Sequence, residues 1–342
     1  MTKILIAGGG VAGAATALAL HQAGVDAVVF EAHESGGDDA GAFLTVMANG
    51  MAALESVGAA AAVIGSSYPA AAVEVFGAGG EHVRHKDIQG PARTLTRAAL
   101  YRTLQDLVVA RGIPVVHGKR LAGAVPDGAG VLVRFADGST ATGDALVGAD
   151  GIHSPTRHLI DPQAPIPRYT GQHVVYGYAE GNPAASAPDA YHMILGSKAF
   201  FGFTAPGDGR TWWFSRITGE ARAGSTGPAQ WRELVLEAAR ADSTPAAAIV
   251  SATPADAVVG GDSYDIPTTP TWHNDRMVLV GDAAHAAAPA AAQGASMALE
   301  DAVALGSALG SLDGPAAFTA YERRRRAQTE ETVAASARMG TS

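Results

Sequence analysis

The sequence predicts an α/β protein in which a parallel sheet layered with helices is interrupted by an inserted antiparallel sheet. Three observations predict it. The chain opens with a β-α-β unit, Ile4 to Ala7, Ala14 to Ala23 and Asp26 to Phe30. An apolar strand of the same texture returns at Met277 to Val280, followed by a long Ala-rich helix. Between them, from Gln172 to Ile217, the pattern changes to alternating β-branched and aromatic residues, the period of an antiparallel sheet.

Each element has its own signal. Ala14 to Ala23 is rich in strong helix formers, and Gly24 is placed to cap it. Asp26 to Phe30 is apolar throughout after its first residue, as a strand covered on both faces must be. Glu34 to Ala40 is a loop of Gly, Asp and Ser, and Met47 to Val57 reads as a helix. Ala71 to Phe76 and Glu81 to Lys86 read as strands joined across Gly77 to Gly80. Arg97 to Arg111 carries Leu100, Leu104, Leu107 and Val108 at helical spacing. Val131 to Phe135 and Ala141 to Val147 flank Asp137-Gly138, a hairpin signal. In the inserted sheet Val174, Tyr176 and Tyr178 share one strand face, followed by runs at Tyr191 to Leu195, Phe200 to Thr204 and Thr211 to Ile217. Trp231 to Ala241 reads as a helix packed on that sheet. The expected division is a discontinuous nucleotide-binding domain at 1–70, 96–165 and 270–342, with a second domain at 71–95 and 166–269.

Composition narrows the function. With 47% apolar and 17% charged residues the chain folds around a sizeable core. A formal net charge of -9 argues against a nucleic-acid partner, since phosphate contacts need clustered Lys and Arg. The basic run Arg323 to Arg326 reads as a solvated helix face. The absence of cysteine excludes disulfides, thiolate catalysis and cysteine-ligated metals. No signal peptide and no membrane-spanning stretch is visible, so a cytoplasmic protein with no membrane partner is expected. His285, and the pair His82 and His85, lack ligand spacing, so no metal is expected.

Three motifs carry the chemistry. The first is Gly8-Gly9-Gly10-Val11-Ala12-Gly13, between a strand and a helix. Gly8 permits the tight turn, Gly10 admits a pyrophosphate close to the backbone, and Gly13 lets the helix pack on the sheet. Free N–H groups at the helix start face the anion, and Glu31 ends the second strand at the distance of a ribose acceptor. A glycine-rich turn beside a surface Glu is the plainer reading. Strand, helix, strand and acid in order favour a dinucleotide, without separating FAD from NAD. The second motif is Gly148-Ala149-Asp150-Gly151 with Ser154 and Arg157; the third is Gly281-Asp282-Ala283-Ala284-His285, then Pro289, Gln293-Gly294 and Glu300-Asp301. Each sets an Asp at the C-terminal end of an apolar strand, where ligands sit in open α/β sheets.

Together these motifs resemble those of the FAD-dependent aromatic hydroxylases, the p-hydroxybenzoate hydroxylase-like or group A flavoprotein monooxygenases, over almost the whole chain. The resemblance implies a Rossmann-like FAD-binding domain with an interleaved antiparallel-sheet substrate domain. It implies non-covalent FAD, with Gly8, Gly10, Val11, Ala12, Gly13 and Glu31 on the ADP half. Gly281 and Asp282 would serve the ribityl and pyrophosphate side, and Asp150 with Gly151 both FAD and NAD(P)H. Arg97, ahead of Leu100, matches the family's R-x-x-L arginine, and Pro289 its proline beside the reacting flavin edge. A helix starting near Gln293-Gly294-Ala295-Ser296 would aim its N–H groups at the pyrimidine end of the flavin, where negative charge develops on reduction.

The implied cycle reduces FAD with NADH or NADPH, forms a flavin C4a-hydroperoxide with dioxygen, and oxygenates an aromatic or unsaturated small molecule. Gly77 to Gly80 does not open a helix, so NAD(P)H is expected to visit without a domain of its own. Substrate candidates are Tyr176, Tyr178, Tyr191, Met193, Phe201, Phe203 and Trp213; His173, His192 or a Tyr would be the catalytic base. Core packing competes for at least half of these. Two departures stand out: Ala292 where many members carry Gly, and Asp38 and Asp39 in a loop that lacks the family's Arg. A flavin-dependent dehydrogenase or reductase on the same fold, and a non-catalytic FAD-fold binding protein, are the alternatives; a monomer or homodimer is expected.

Overall fold

The computed structural model describes residues 3–34, 42–184, 186–222 and 226–340. The expected β-α-β unit forms as Lys3–Ala7 (β1), Val11–Gln22 (α1) and Asp26–Phe30 (β2). Gly24 follows α1 at φ +73 with its N–H on the His21 carbonyl, the left-handed cap that the sequence announces.

Next come Phe43–Val46 (β3), Ala48–Ser56 (α2) and Ala60–Gly65 (α3), then Tyr68–Gly77 (β4) and His82–Thr96 (β5). Arg97–Ala110 (α4) is followed by Val115–Val116 (β6), Leu121–Asp127 (β7), Gly130–Phe135 (β8), Thr140–Gly143 (β9), Ala145–Gly148 (β10) and Pro155–Ile160 (α5). The inserted region supplies Arg168–Glu180 (β11), Ala190–Leu195 (β12), Phe200–Thr204 (β13) and Arg210–Thr218 (β14). It continues with Pro228–Ala239 (α6), Ala246–Ser251 (α7) and Val258–Asp265 (β15). The chain closes with Met277–Leu279 (β16), Asp282–His285 (α8), Gly294–Leu309 (α9) and Gly314–Gly340 (α10).

A five-stranded parallel sheet runs β16-β10-β1-β2-β6. Alternation along β1 sends Ile4 and Ile6 into a core with α1, α4 and α9, and Leu5 and Ala7 into a second core with Val131, Val133 and Phe135. The second face is thus covered by the small antiparallel sheet β7-β8-β9 rather than by helices. On the helical face α1 and α9 touch so closely that a Cβ on Gly306 would stand 2.7 Å from that of Ala19.

Eight strands form the other sheet, in the order β15-β11-β14-β13-β12-β4-β5-β3. The alternating texture correctly marked it, with two differences. β12 and β4 pair in parallel, so the sheet is mixed. Phe43–Val46, inside a segment expected to be nucleotide-binding, is its edge strand, paired with β5. A third difference concerns Ala141 to Val147. It does turn back on β8, but only as far as Gly143; residues from Ala145 join β1 in parallel instead. The break is fixed by the Lys3 N–H on Asp144 and by Leu5, whose Cγ would lie 2.7 Å from a Cβ on Gly143.

Candidate functional site: three loops at the ends of parallel strands

β1, β10 and β16 end side by side, and the three motifs follow directly from them. Gly8 turns the chain at φ +99, and a Cβ there would meet the Ala149 carbonyl oxygen at 2.3 Å. A Cβ on Gly13 would stand 1.9 Å from the Gly8 carbonyl oxygen. Both glycines are therefore demanded by the chain itself. Gly10 is not: it caps α1 with φ −63, and a Cβ on it would meet nothing within 4 Å. A glycine kept where the fold has room for a side chain is what the close approach of a ligand requires. The same holds at Gly294, the first residue of α9.

Glu31 ends β2 as expected but is buried, and the chain engages both of its oxygens. Gly9 N–H donates to Oε2 at 2.7 Å and His33 N–H to Oε1 at 2.9 Å. Its first task is to fasten the glycine turn. Gln105, on α4 and absent from the sequence reading, adds to this by donating to the Gly9 carbonyl.

Asp150 is tied more tightly still. It accepts Ser154 Oγ on one oxygen, and Thr156 N (3.0 Å) and Oγ1 (2.6 Å) on the other. Burial outweighs these bonds and holds its carboxyl above the usual carboxylate range. Its carboxylate is committed to the start of α5. Arg157, named beside the second motif, is fully buried. It donates to the carbonyls of Ile152, Pro165 and Ala283, locking α5 to α8, the short helix after β16.

Gly281 adopts φ +58, and a Cβ there would touch that of Ala12 at 2.9 Å, so the third motif abuts the first turn of α1 beside Val11. The half-buried Asp282 carboxylate makes no hydrogen bond among the described residues. Behind it lies a buried ionic knot. Asp301 accepts Gly281 N–H at 3.0 Å, His285 Nε2 at 2.5 Å and Arg325 Nε at 2.8 Å. Burial opposes charge on both partners, yet their mutual attraction wins: His285 is raised and Asp301 lowered. Arg325 thereby corrects the reading of Arg323 to Arg326 as a solvated face; it is buried against Asp301 and Glu300, while Arg323 and Arg324 are exposed.

Pro289 is exposed and opens a single turn, Pro289–Ala291, that leads into α9. Ala292 closes it at φ +51, the one described non-glycine residue in that region. An alanine there is strained where a glycine would not be. α9 then presents the N–H groups of Gly294, Ala295 and Ser296 at its start, while the Ser296 hydroxyl turns away to accept Met47 N–H at 3.1 Å. Arg97 starts α4 with an exposed guanidinium that has no hydrogen-bond partner among the described residues. Asp38 and Asp39 lie outside the described residues.

The substrate candidates divide between two faces of the eight-stranded sheet. Tyr176, Tyr178, Tyr191 and Met193 lie on the inner face around Phe43, with Trp212 and Phe214. Phe201, Phe203 and Trp213 lie on the outer face, buried under α6 and α7. His173 is also on the outer face, bonded to Asp262 at 2.8 Å and packed against Trp231. Residues of opposite parity in one strand cannot line one pocket, so His173, Phe201, Phe203 and Trp213 are core residues and not neighbours of Tyr176. His192 is likewise sandwiched between Phe76 and Phe203. Phe43, Trp212, Phe214 and Arg216 on the inner face were missed.

No group of three or more His, Cys, Asp or Glu among the described residues is arranged to hold a metal, and none of their helices is long and apolar enough to cross a membrane.

Comparison with known proteins fits this arrangement. The family profile described as FAD binding domain matches residues 1–336. Aurachin C monooxygenase/isomerase of Stigmatella aurantiaca is 30% identical, over 98% of this chain and 88% of its own. The chloroplastic zeaxanthin epoxidase of Solanum lycopersicum is 31% identical over 87% of this chain, which spans about half (46%) of that longer protein. The crystal structure of Klebsiella pneumoniae HpxO complexed with FAD and uric acid superposes with a TM-score of 0.91 at 25% identity, covering 99% of this chain and 88% of that one. The chain belongs to the FAD-binding-domain family and is a group A FAD-dependent monooxygenase.

Proposed function

We propose that the three loops hold FAD and that the inner sheet face around Tyr176 and Tyr178 holds a planar aromatic or unsaturated substrate for oxygenation. One observation carries this reading. Gly10 and Gly294 keep open space where the fold itself demands none, one at the start of α1 and one at the start of α9. Two helix N-termini with uncovered N–H groups match two separate sites of negative charge on one cofactor, the pyrophosphate and the reduced ring.

FAD, when bound, supplies the redox chemistry, taking reducing equivalents from NADH or NADPH and passing one oxygen atom of dioxygen to the substrate. The chain's own residues bind, orient and exclude water. Gly8, Gly10, Val11, Ala12 and Gly13 would cradle the pyrophosphate, and Glu31 would face the ribose while securing Gly9. Asp282, whose carboxylate makes no hydrogen bond among the described residues, would accept from the ribityl side. Asp150 would act by holding α5 and the Gly151 turn in place, since its oxygens are already used. Gly281, Ala295 and Ser296 would contribute backbone N–H groups or close approach, and Pro289 would border the reacting edge. Phe43, Tyr176, Tyr178 and Phe214 form an apolar wall that keeps water from that edge. With His173 turned to the outer face, the phenols of Tyr176 and Tyr178 are inner-face groups that would make polar contact with the substrate.

The domain division we adopt keeps the expected boundaries, with Phe43–Val46 assigned to the substrate sheet it pairs with. A cytoplasmic monomer or homodimer is the matching cellular form. The test is anaerobic mixing of the FAD-loaded protein with a panel of ring compounds. Bleaching of the flavin by NAD(P)H, faster with a compound present, supports the oxygenase; bleaching by a compound alone would identify a dehydrogenase.

A further inference from the structure

Ala292 holds a backbone conformation that alanine resists, so its surroundings must keep it there. It is the one described non-glycine residue in the left-handed region, at φ +51 and ψ +32. It stands between the single turn Pro289–Ala291 and Gln293, the residue before α9. The turn's own bond, from Ala292 N–H to the Pro289 carbonyl at 3.1 Å, closes the turn without fixing where it points. Left to itself, alanine disfavours this region relative to glycine by about five- to thirtyfold. Such a conformation persists only where neighbouring structure over-determines it.

The neighbour that does so is α10. Ser336, near the C-terminal end of that helix, is fully buried. Its hydroxyl accepts Ala291 N–H at 3.1 Å and donates to the Ala288 carbonyl at 2.5 Å. One side chain thus brackets the turn, from the residue that caps it to its last member. The hydroxyls one and two helical turns earlier behave differently. Thr332 and Thr329 donate back to carbonyls of their own helix, those of Gln328 and Arg325, as hydroxyls inside a helix commonly do. Ser336 instead gives both of its bonds to another element. That element runs straight into α9, so what sets the turn also sets the approach to the first N–H groups of that helix.

We propose that Ser336 is a positioning residue, which clamps the strained Pro289–Ala292 turn where Pro289 borders the flavin and the start of α9 faces its ring. The inference rests on the three-loop reading of the FAD site. Strain and clamp act on the same equilibrium. With the clamp removed, alanine at 292 favours a relaxed turn, and a ligand that needs the minority form binds more weakly by the factor that disfavours it. In Ala292→Gly that bias is absent, and losing the clamp should matter little.

The test is a double-mutant cycle on FAD affinity, read by fluorescence quenching as the apoprotein is titrated. Ser336→Ala should weaken FAD binding about fivefold or more and move the visible spectrum of the bound flavin toward that of free FAD. Ala292→Gly should bind FAD as the parent does, or more tightly. Adding Ser336→Ala to Ala292→Gly should cost less than about twofold and keep the parent's spectrum. A plain packing role for Ser336 predicts equal losses in both backgrounds, and that result overturns the proposal. So does unchanged affinity in Ser336→Ala while Gly10→Ala weakens FAD, which leaves the three-loop site standing. Unchanged affinity in both of those variants overturns the site and the clamp together. Should Ser336→Ala fail to fold alone, the double variant is still expected to fold and bind FAD, because the strain is gone, and its failure overturns the proposal as well.

Discussion

The glycines of the first loop allow cofactor contact and fold stability to be separated by a single methyl group. In Gly10→Ala the new Cβ meets no chain atom within 4 Å and the backbone angle, φ −63, suits alanine. Alanine is a poorer helix N-cap than glycine, so the apoprotein should lose at most about 1 kcal/mol. The same methyl occupies the space through which a pyrophosphate reaches the α1 N–H groups. Loss of one charge-assisted hydrogen bond costs about 1.5–3 kcal/mol, which weakens FAD binding about ten- to 150-fold. Gly13→Ala inverts the pattern. Its Cβ would sit 1.9 Å from the Gly8 carbonyl oxygen, a backbone atom with nowhere to go, between β1 and α1. Overpacking of that kind costs about 1–3 kcal/mol or more, so the apoprotein itself should melt earlier. The assay pairs apoprotein melting by circular dichroism with FAD titration by fluorescence quenching. If Gly10→Ala binds FAD as tightly as the parent, the space beside Gly10 is not a cofactor site and the reasoning fails.

Two further outcomes follow from the hydrogen-bond pattern. Asp282→Ala should leave the apoprotein's melting unchanged, because its carboxylate bonds to nothing described, yet release FAD more readily; Asp150→Ala should destabilise the apoprotein by about 1.5–3 kcal/mol through the freed α5, with the smaller direct effect on FAD, and equal FAD affinity in Asp282→Ala and parent contradicts the assignment. His285 holds a proton against Asp301, with its pKa raised above 6.5; a raised value means its contribution to stability is complete below pH 6.5 and fades as the pH climbs through the folded value. Asp301, lowered below 3.8, contributes above that pH and loses its contribution as the pH falls through its own folded value. Urea unfolding of the apoprotein across pH 6 to 9 should therefore show an alkaline decline that His285→Gln flattens, and an unchanged decline in that variant refutes the pairing.

What the sequence revealed, and what it withheld, divides along physical lines. β1, α1 and β2 were legible because their signals are local: an apolar run, a glycine turn, a periodic helix and a cap at Gly24. Strand membership was not. Ala141 to Val147 looks continuous, yet its halves belong to different sheets, and only the contact of Leu5 with Gly143 and of Lys3 with Asp144 decides the break. The parity of Tyr176 and Tyr178 was readable, but parity does not say which face turns inward, and so His173, Phe201, Phe203 and Trp213 entered the candidate set from the wrong side. Phe43 was hidden because four residues next to a glycine-rich loop give too short a pattern. Arg216 and Arg325 were hidden for a different reason: an arginine inside a strand or a basic run declares itself buried only when the side chains packed around it are seen.

The central claim is oxygenation. The most direct measurement is turnover of the FAD-loaded enzyme with NAD(P)H and a ring compound that speeds flavin reduction, under isotopically labelled dioxygen, followed by mass spectrometry of the product. The account predicts one labelled oxygen atom in the product and label from the solvent in none of it. An oxidised product that carries no atom from dioxygen, formed while the gas is reduced only to peroxide, would contradict it.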